Sequence, residues 1–249
     1  MTARLGLMVG VAAVVAAALF GGWYFFLRGD DPAPVSLADA VASVTATPAA
    51  SGATTEATAT ATSDATPAAG GDGALAGTWT LVAGDSFVGY RVKEELVSVG
   101  ATEAVGRTSV VSGSLSFDGS AITSVEVVAD MTALKSDDSR RDGQLRRQGI
   151  EYGTFPEATF VLAEPIAIEG MPAEGVEISA VAVGDLTLHG VTQRVTFPLQ
   201  GTLASGLVVV VGSLPIEFAD YDIEAPRALS VVSVEERGII ELQLIFQRG

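Results

Sequence analysis

The chain holds one histidine, His189, and no cysteine, so its inventory for catalysis is short. Sites built on two or three imidazoles are impossible within one chain, and thiolate nucleophiles, thiolate metal sites and disulfides are absent. His189 stands beside Gly190 in what reads as a tight turn, with no serine-histidine-acid motif around it. The adjacent acids Glu94-Glu95, Asp137-Asp138 and Glu235-Glu236 would point to opposite faces of a strand, which makes them solvated surface rather than shared acid-base sites. None has the spacing of a calcium loop, and no metal site is expected. The remaining polar chemistry is positive. Arg140, Arg141, Arg146 and Arg147 lie in a run that predicts one short helix from Ser136 to Gln148, with Asp138 or Ser139 as its cap and Gly149 as its stop. If that helix lies by a barrel mouth, these four arginines could contact a phosphate or a quinone oxygen. The plainer alternative is a soluble helix surface paired with Asp137, Asp138 and Asp142.

The elements that would position such groups are strands. From Leu75 onward, short alternating segments are broken by Gly, Asp and Pro, the spacing of an all-β sandwich or barrel. Val88, Tyr90 and Val92 share one face. So do Leu115 and Phe117 before the Asp118-Gly119 turn, then Val125, Val127, Ala129 and Met131, and then Ala158, Phe160 and Leu162. Leu186 and Leu188 run into the His189-Gly190 turn, and Val195, Phe197 and Leu199 run out of it. Leu207, Val209 and Val211 lead toward Ile216 and Phe218, and the chain closes on Ile240, Leu242, Leu244 and Phe246. About eight strands with a one-sided apolar face predict an antiparallel barrel. Its interior row is expected to comprise Val88, Tyr90, Phe117, Met131, Phe160, Leu188, Phe197, Phe218 and Phe246, which either fill the barrel or line a cavity.

Ahead of the barrel the composition changes twice. Leu5 to Leu27 carries no charged residue and would be about 35 Å long as a helix, enough to cross a hydrocarbon core of about 30 Å. Residues 1–29 are therefore read as a transmembrane anchor, with a cleavable signal peptide as the competing reading. A lipoprotein is excluded because there is no cysteine to acylate. Arg4 before the segment, and Asp30 and Asp31 after it, place the body outside the cytoplasm on the positive-inside bias, which makes a single-pass protein of the cell membrane. Residues 30–74 are rich in Ala, Thr, Ser and Pro and are read as a disordered linker. The domain at 75–249 holds 12 Lys and Arg against 24 Asp and Glu, a balance that argues against nucleic acid as a partner.

Three motifs give this domain a resemblance. They are Leu186-Thr187-Leu188-His189-Gly190-Val191-Thr192-Gln193-Arg194-Val195, then Arg140-Arg141-Asp142-Gly143-Gln144-Leu145 with Phe155-Pro156-Glu157-Ala158-Thr159-Phe160, and Gly212-Ser213-Leu214-Pro215-Ile216-Glu217-Phe218. The domain resembles the YceI-like polyisoprenoid-binding proteins, which form lipocalin-like antiparallel barrels. Gln144 stands where many relatives have His, and Tyr221-Asp222-Ile223 where many have an aromatic-Gly-aliphatic step. The resemblance implies a non-catalytic, membrane-tethered binder without a resident cofactor, whose ligand is an isoprenoid, a quinone-like lipid or another long apolar molecule held inside the barrel. The rival expectation is an envelope stress or protein-interaction module with a packed barrel.

Overall fold

The computed structural model describes residues 32–46, 75–97, 100–170, 172–226 and 231–249. Leu5 to Leu27, read above as the anchor, lies outside them. Among the described residues no helix is long and apolar enough to cross a membrane.

Eight strands close the barrel: β1 (Gly77–Leu81), β4 (Val111–Phe117), β5 (Ala121–Asp130), β7 (Glu157–Leu162), β9 (Ile178–Leu188), β10 (Val191–Ala204), β11 (Leu207–Glu217) and β13 (Arg237–Arg248). The last returns to the first through Leu81 opposite Phe246, and all these pairings are antiparallel. The amino half of β13 pairs instead with β2 (Phe87–Leu96), which forms a long hairpin with β3 (Gly100–Thr108) and extends the wall at one end. Three short strands complete the sheet: β6 (Lys135–Ser136) on β3, β8 (Ile166–Ala167) on β5 and β12 (Val231–Val234) on β2.

The hairpin around His189 forms as its residues dictate. Leu188 faces Val191 across a two-residue turn, and both turn residues have positive φ, 53° at His189 and 75° at Gly190, the geometry that matches strand twist. Gly184 serves a different need, since an added Cβ would collide with the Phe160 ring and lie 2.6 Å from the Val161 carbonyl oxygen. Asp222, where the resemblance predicts glycine, sits at φ 54°, ψ 31°, a left-handed conformation that Asp tolerates better than most side chains.

Among the described residues there are two short α-helices where the sequence predicts one. The expected helix at Ser136–Gln148 is confined to Ser139–Leu145, here α2, with Asp138 accepting the Arg140 amide at 2.7 Å as its cap. The other, α1 (Leu37–Thr45), lies inside the segment 30–74 that composition marks as unstructured. The Ser36 hydroxyl accepts the Asp39 amide at 3.2 Å. Leu37, Ala40, Val41 and Val44 then fall at i, i+3, i+4 and i+7 and pack with Ala204, Val209, Val211 and Ile245 on the outer wall. Ala, Val and Thr also suit a solvated linker, so composition hid a stripe that is stable only with a barrel beneath it.

α1 also explains a reversed face on β11. The alternation expected to bring Leu207, Val209 and Val211 inward runs the other way: Val208 and Val210 pack inward, while Val209 at 0% and Val211 at 2% exposure lie beneath α1. A strand covered on both sides reads as one continuous apolar run, and periodicity cannot then choose its inner face. Removing everything before Leu75 should uncover this patch. The truncated barrel is expected to lose about 2 kcal/mol, or roughly 4–8 °C in Tm, with increased binding of an apolar dye; an unchanged melting curve and dye signal would show that α1 does not hold there.

Ahead of α1 the chain is tied down by charge. Arg91, 5% exposed, meets Glu241 at 3.1 Å and Glu103 at 2.8 Å, and donates to the Pro32 carbonyl at 2.6 Å. Arg107 reaches Glu241 at 3.4 Å and the Ala33 carbonyl at 2.9 Å, with its guanidinium 4.3 Å above the Phe87 ring. Glu241 is only 2% exposed. Its charge is tolerated there because two guanidinium groups face it.

Candidate ligand tunnel

Three cavities follow one another along the barrel axis. The upper, of about 360 Å³, lies beneath α2; a middle one of about 100 Å³ and a lower one of about 110 Å³ continue it. Val88, Ala158, Leu186 and Ile240 line both the upper and the middle cavity, and Leu115, Ile122, Ile166, Leu199 and Val210 line both the middle and the lower. The interior is thus a constricted shaft rather than a filled core, in the size range of small-molecule sites.

All nine residues expected to face inward do so. Val88, Tyr90, Met131, Leu188 and Phe218 line the upper cavity, Phe160, Phe197 and Phe246 the middle, and Phe117 the lower. Phe160 and Phe197 meet edge to face with centroids 6.4 Å apart. Small residues keep the shaft open: Ala158 stands at the upper constriction, and Ala129 and Ala182 line the middle.

The charged lining groups gather at one end. Tyr90, Glu94, Asp138, Arg140, Arg141 and Gln144 all border the upper cavity. Arg141 bridges Glu94 at 2.6 Å and Asp137, and Asp142 accepts from the Ser136 amide at 3.0 Å and hydroxyl at 2.7 Å. Among the described residues the buried Tyr90 hydroxyl finds no hydrogen-bond partner. Burial, reinforced by Asp142 and Glu94 against the opposing pull of Arg141, holds that phenol far above its ordinary pKa. It therefore remains a proton donor at neutral pH.

Of the four arginines expected together, two reach the site. Arg140 and Arg141 border the cavity, whereas Arg146 and Arg147 are exposed and do not. The cause is the buried side chain of Leu145, which with Arg141 one turn earlier turns that side of α2 to the barrel; the helix then ends and the next two residues leave with the turn. Glu94 corrects the expectation of a solvated pair in the other direction. It is 8% exposed and faces the cavity, while Glu95 faces solvent. Strand alternation does separate the pair as predicted, but one member goes to the interior because an arginine from another element meets it there.

His189 has a structural part. Its Nδ1 lies 3.0 Å from the Tyr221 carbonyl oxygen, which can only accept, and its ring packs on Phe155 with centroids 4.4 Å apart. Its buried Nε2 finds no partner among the described residues. Tyr221 is 2% exposed, and burial, helped by Asp220, pushes its phenol up to about 12. A phenol pKa raised by folding contributes stability that is complete below the unfolded value of about 10 and is lost as pH rises toward 12. The barrel is accordingly expected to weaken between pH 10 and 12, with Tyr221→Phe flattening that dependence; equal alkaline sensitivity in both proteins would contradict this.

Residues 79–246 match the YceI-like domain. The chain belongs to the YceI-like family. A UPF0312 protein of Vibrio parahaemolyticus is 34% identical over 142 residues, which cover 52% of this chain and 70% of the relative. One from Yersinia enterocolitica is 32% identical over 114 residues, or 45% of this chain and 53% of that one. Among solved structures, a polyisoprenoid-binding domain from Saccharophagus degradans, implicated in plant cell wall breakdown, superposes with a TM-score of 0.57 at 22% identity, covering 69% of this chain and 98% of that one. Burkholderia cenocepacia BcnA gives 0.51 at 23% identity, over 66% and 98%. At these identities the structural likeness establishes the fold. Within this YceI-like barrel, the departing residue Gln144 borders the upper cavity, so the sequence difference falls on the polar end of the shaft.

Proposed function

We propose that this YceI-like barrel binds one long apolar molecule with a small polar head, sequestering or carrying it without transforming it. The observation that carries the reading is the apolar shaft with all its charged lining groups at the upper end. Each CH₂ moved from water into such a shaft contributes about 0.8 kcal/mol, so chain length sets affinity more than shape does. At the polar end Arg141 is already matched by Glu94 and Asp137. That balance favours an uncharged head accepting from Tyr90 or Arg140, such as a quinone carbonyl, over a multiply charged phosphate. The relation to a polyisoprenoid-binding domain supports an isoprenoid tail.

The apolar stretch from Leu5 to Leu27 extends the proposal to a single-pass membrane protein with its barrel on the extracytoplasmic side, beside the bilayer that holds such lipids. The test uses the chain from Pro32 onward, which keeps α1 in place, purified and extracted for lipid mass spectrometry. A stoichiometric long-chain species is expected. A barrel that never carries lipid and excludes apolar fluorescent probes would sink the carrier reading in favour of a protein-interaction module.

A further inference from the structure

The packing of residues 32–46 changes what lies between an anchor and the barrel. If the whole segment from Asp30 to Gly73 were a flexible coil, the barrel would hang roughly 40 Å from the bilayer, free to turn in any direction. Pro32 and Ala33 are instead held by Arg91 and Arg107, and α1 is buried against the wall. Only residues 28–31 remain between Leu27 and the first bound residue, a span of at most about 18 Å.

The point of attachment also selects an end of the barrel. Pro32 sits against β2, on the outer side of the wall whose inner residues Tyr90, Val92 and Glu94 line the upper cavity. From Arg91 the strand runs about 20 Å to its tip at Val97. Val97 is 69% exposed, and Val232, on the neighbouring strand where Val231 pairs with Leu96, is 60% exposed. Two apolar side chains thus stand in the open at the rim of the polar-headed cavity, about as far from Arg91 as the tether is long. α1 lies toward the other end, on the strands that flank the Ser205-Gly206 turn.

We propose that residues 32–46 form a rigid strap, and that the strap holds the tunnel mouth, with Val97 and Val232 foremost, against the lipid bilayer that contains the chain's own amino-terminal segment. A lipid then passes between bilayer and shaft without its tail crossing water. The proposal rests on the anchored-binder reading above and adds an orientation to it.

Because the chain lacks cysteine, a single fluorophore can be placed at Val97→Cys or at Ser205→Cys in the full-length protein, reconstituted into phosphatidylcholine vesicles that carry a spin-labelled lipid. Quenching several-fold stronger at position 97 than at 205 is expected. Inserting a flexible Gly/Ser stretch of about forty residues between Asp31 and Pro32, which leaves the barrel untouched, should bring position 97 down to the level of 205. Protein that fails to float with the vesicles overturns the anchored reading and this proposal together. Protein that floats with equal quenching at both positions overturns the orientation alone. Quenching at position 97 that survives the insertion shows that the strap is not what holds the mouth.

Discussion

Replacing Ala158 by Phe is expected to cut affinity for a long-chain lipid about a thousandfold while leaving the barrel folded. Ala158 lines both the upper and the middle cavity, so a ring at that position closes the shaft where it narrows. The new ring has space to enter, because the cavity above it measures about 360 Å³, and the strain of overpacking is therefore at the low end of the usual 1–3 kcal/mol or so. The ligand has no such relief. Each CH₂ expelled into water costs about 0.8 kcal/mol, and about five of them amount to roughly three decades in affinity. A titration series of increasing chain length separates the effects: probes short enough for the upper cavity should lose least in the variant, with the difference growing as the chain lengthens. Equal affinity of both proteins for the longest member would show that the tail does not pass Ala158.

Phe160→Asp should remove the fold itself. The Phe160 ring lies edge-on to Phe197 in the interior, over Gly184, where no side chain intervenes. Loss of this half-buried aromatic ring alone costs up to about 3–5 kcal/mol, and the carboxylate would be added to an apolar cavity wall on which, among the described residues, no cation faces it. Against a typical domain stability of about 5–15 kcal/mol, that combination leaves little or no native protein. Circular dichroism and urea denaturation should show loss of the cooperative transition. Phe160→Leu keeps the apolar character and should fold with a modest deficit, which separates the effect of charge from that of volume. A Phe160→Asp protein with parental stability and retained lipid would place this side chain outside the barrel.

How far each element could be read from residues depended on what covered it. Strands buried on one side only, such as β9 with Leu186 and Leu188 or β5 with Val127 and Ala129, alternate visibly and their inner faces were legible. β11 was not, because α1 covers its outside and Val208 to Val211 give no alternation to read. α1 itself was masked by a composition shared with unstructured linkers. Its spacing of Leu37, Ala40, Val41 and Val44 was the available signal, but a nine-residue helix has no stability without a partner surface. For the site, the apolar lining was legible from alternation. The polar end was only half legible: an arginine cluster shows in the sequence, but which two arginines turn toward the cavity depends on how Leu145 docks.

Taken alone, the sequence determined an antiparallel barrel with a one-sided apolar interior, its family and a composition of one histidine and no cysteine, since these follow from residue types and from periodicities of a few positions. Only the tertiary structure decided that the interior stays open, because its free volume is a small difference between the barrel's size and the side chains within it. It also decided that Glu94 and Arg141 meet although 47 positions apart, and that Pro32 and Ala33, in a segment resembling a linker, are held by Arg91 and Arg107. Long-range pairing of this kind leaves no local trace: each partner alone is an ordinary surface residue, and burial makes it otherwise only when the other arrives.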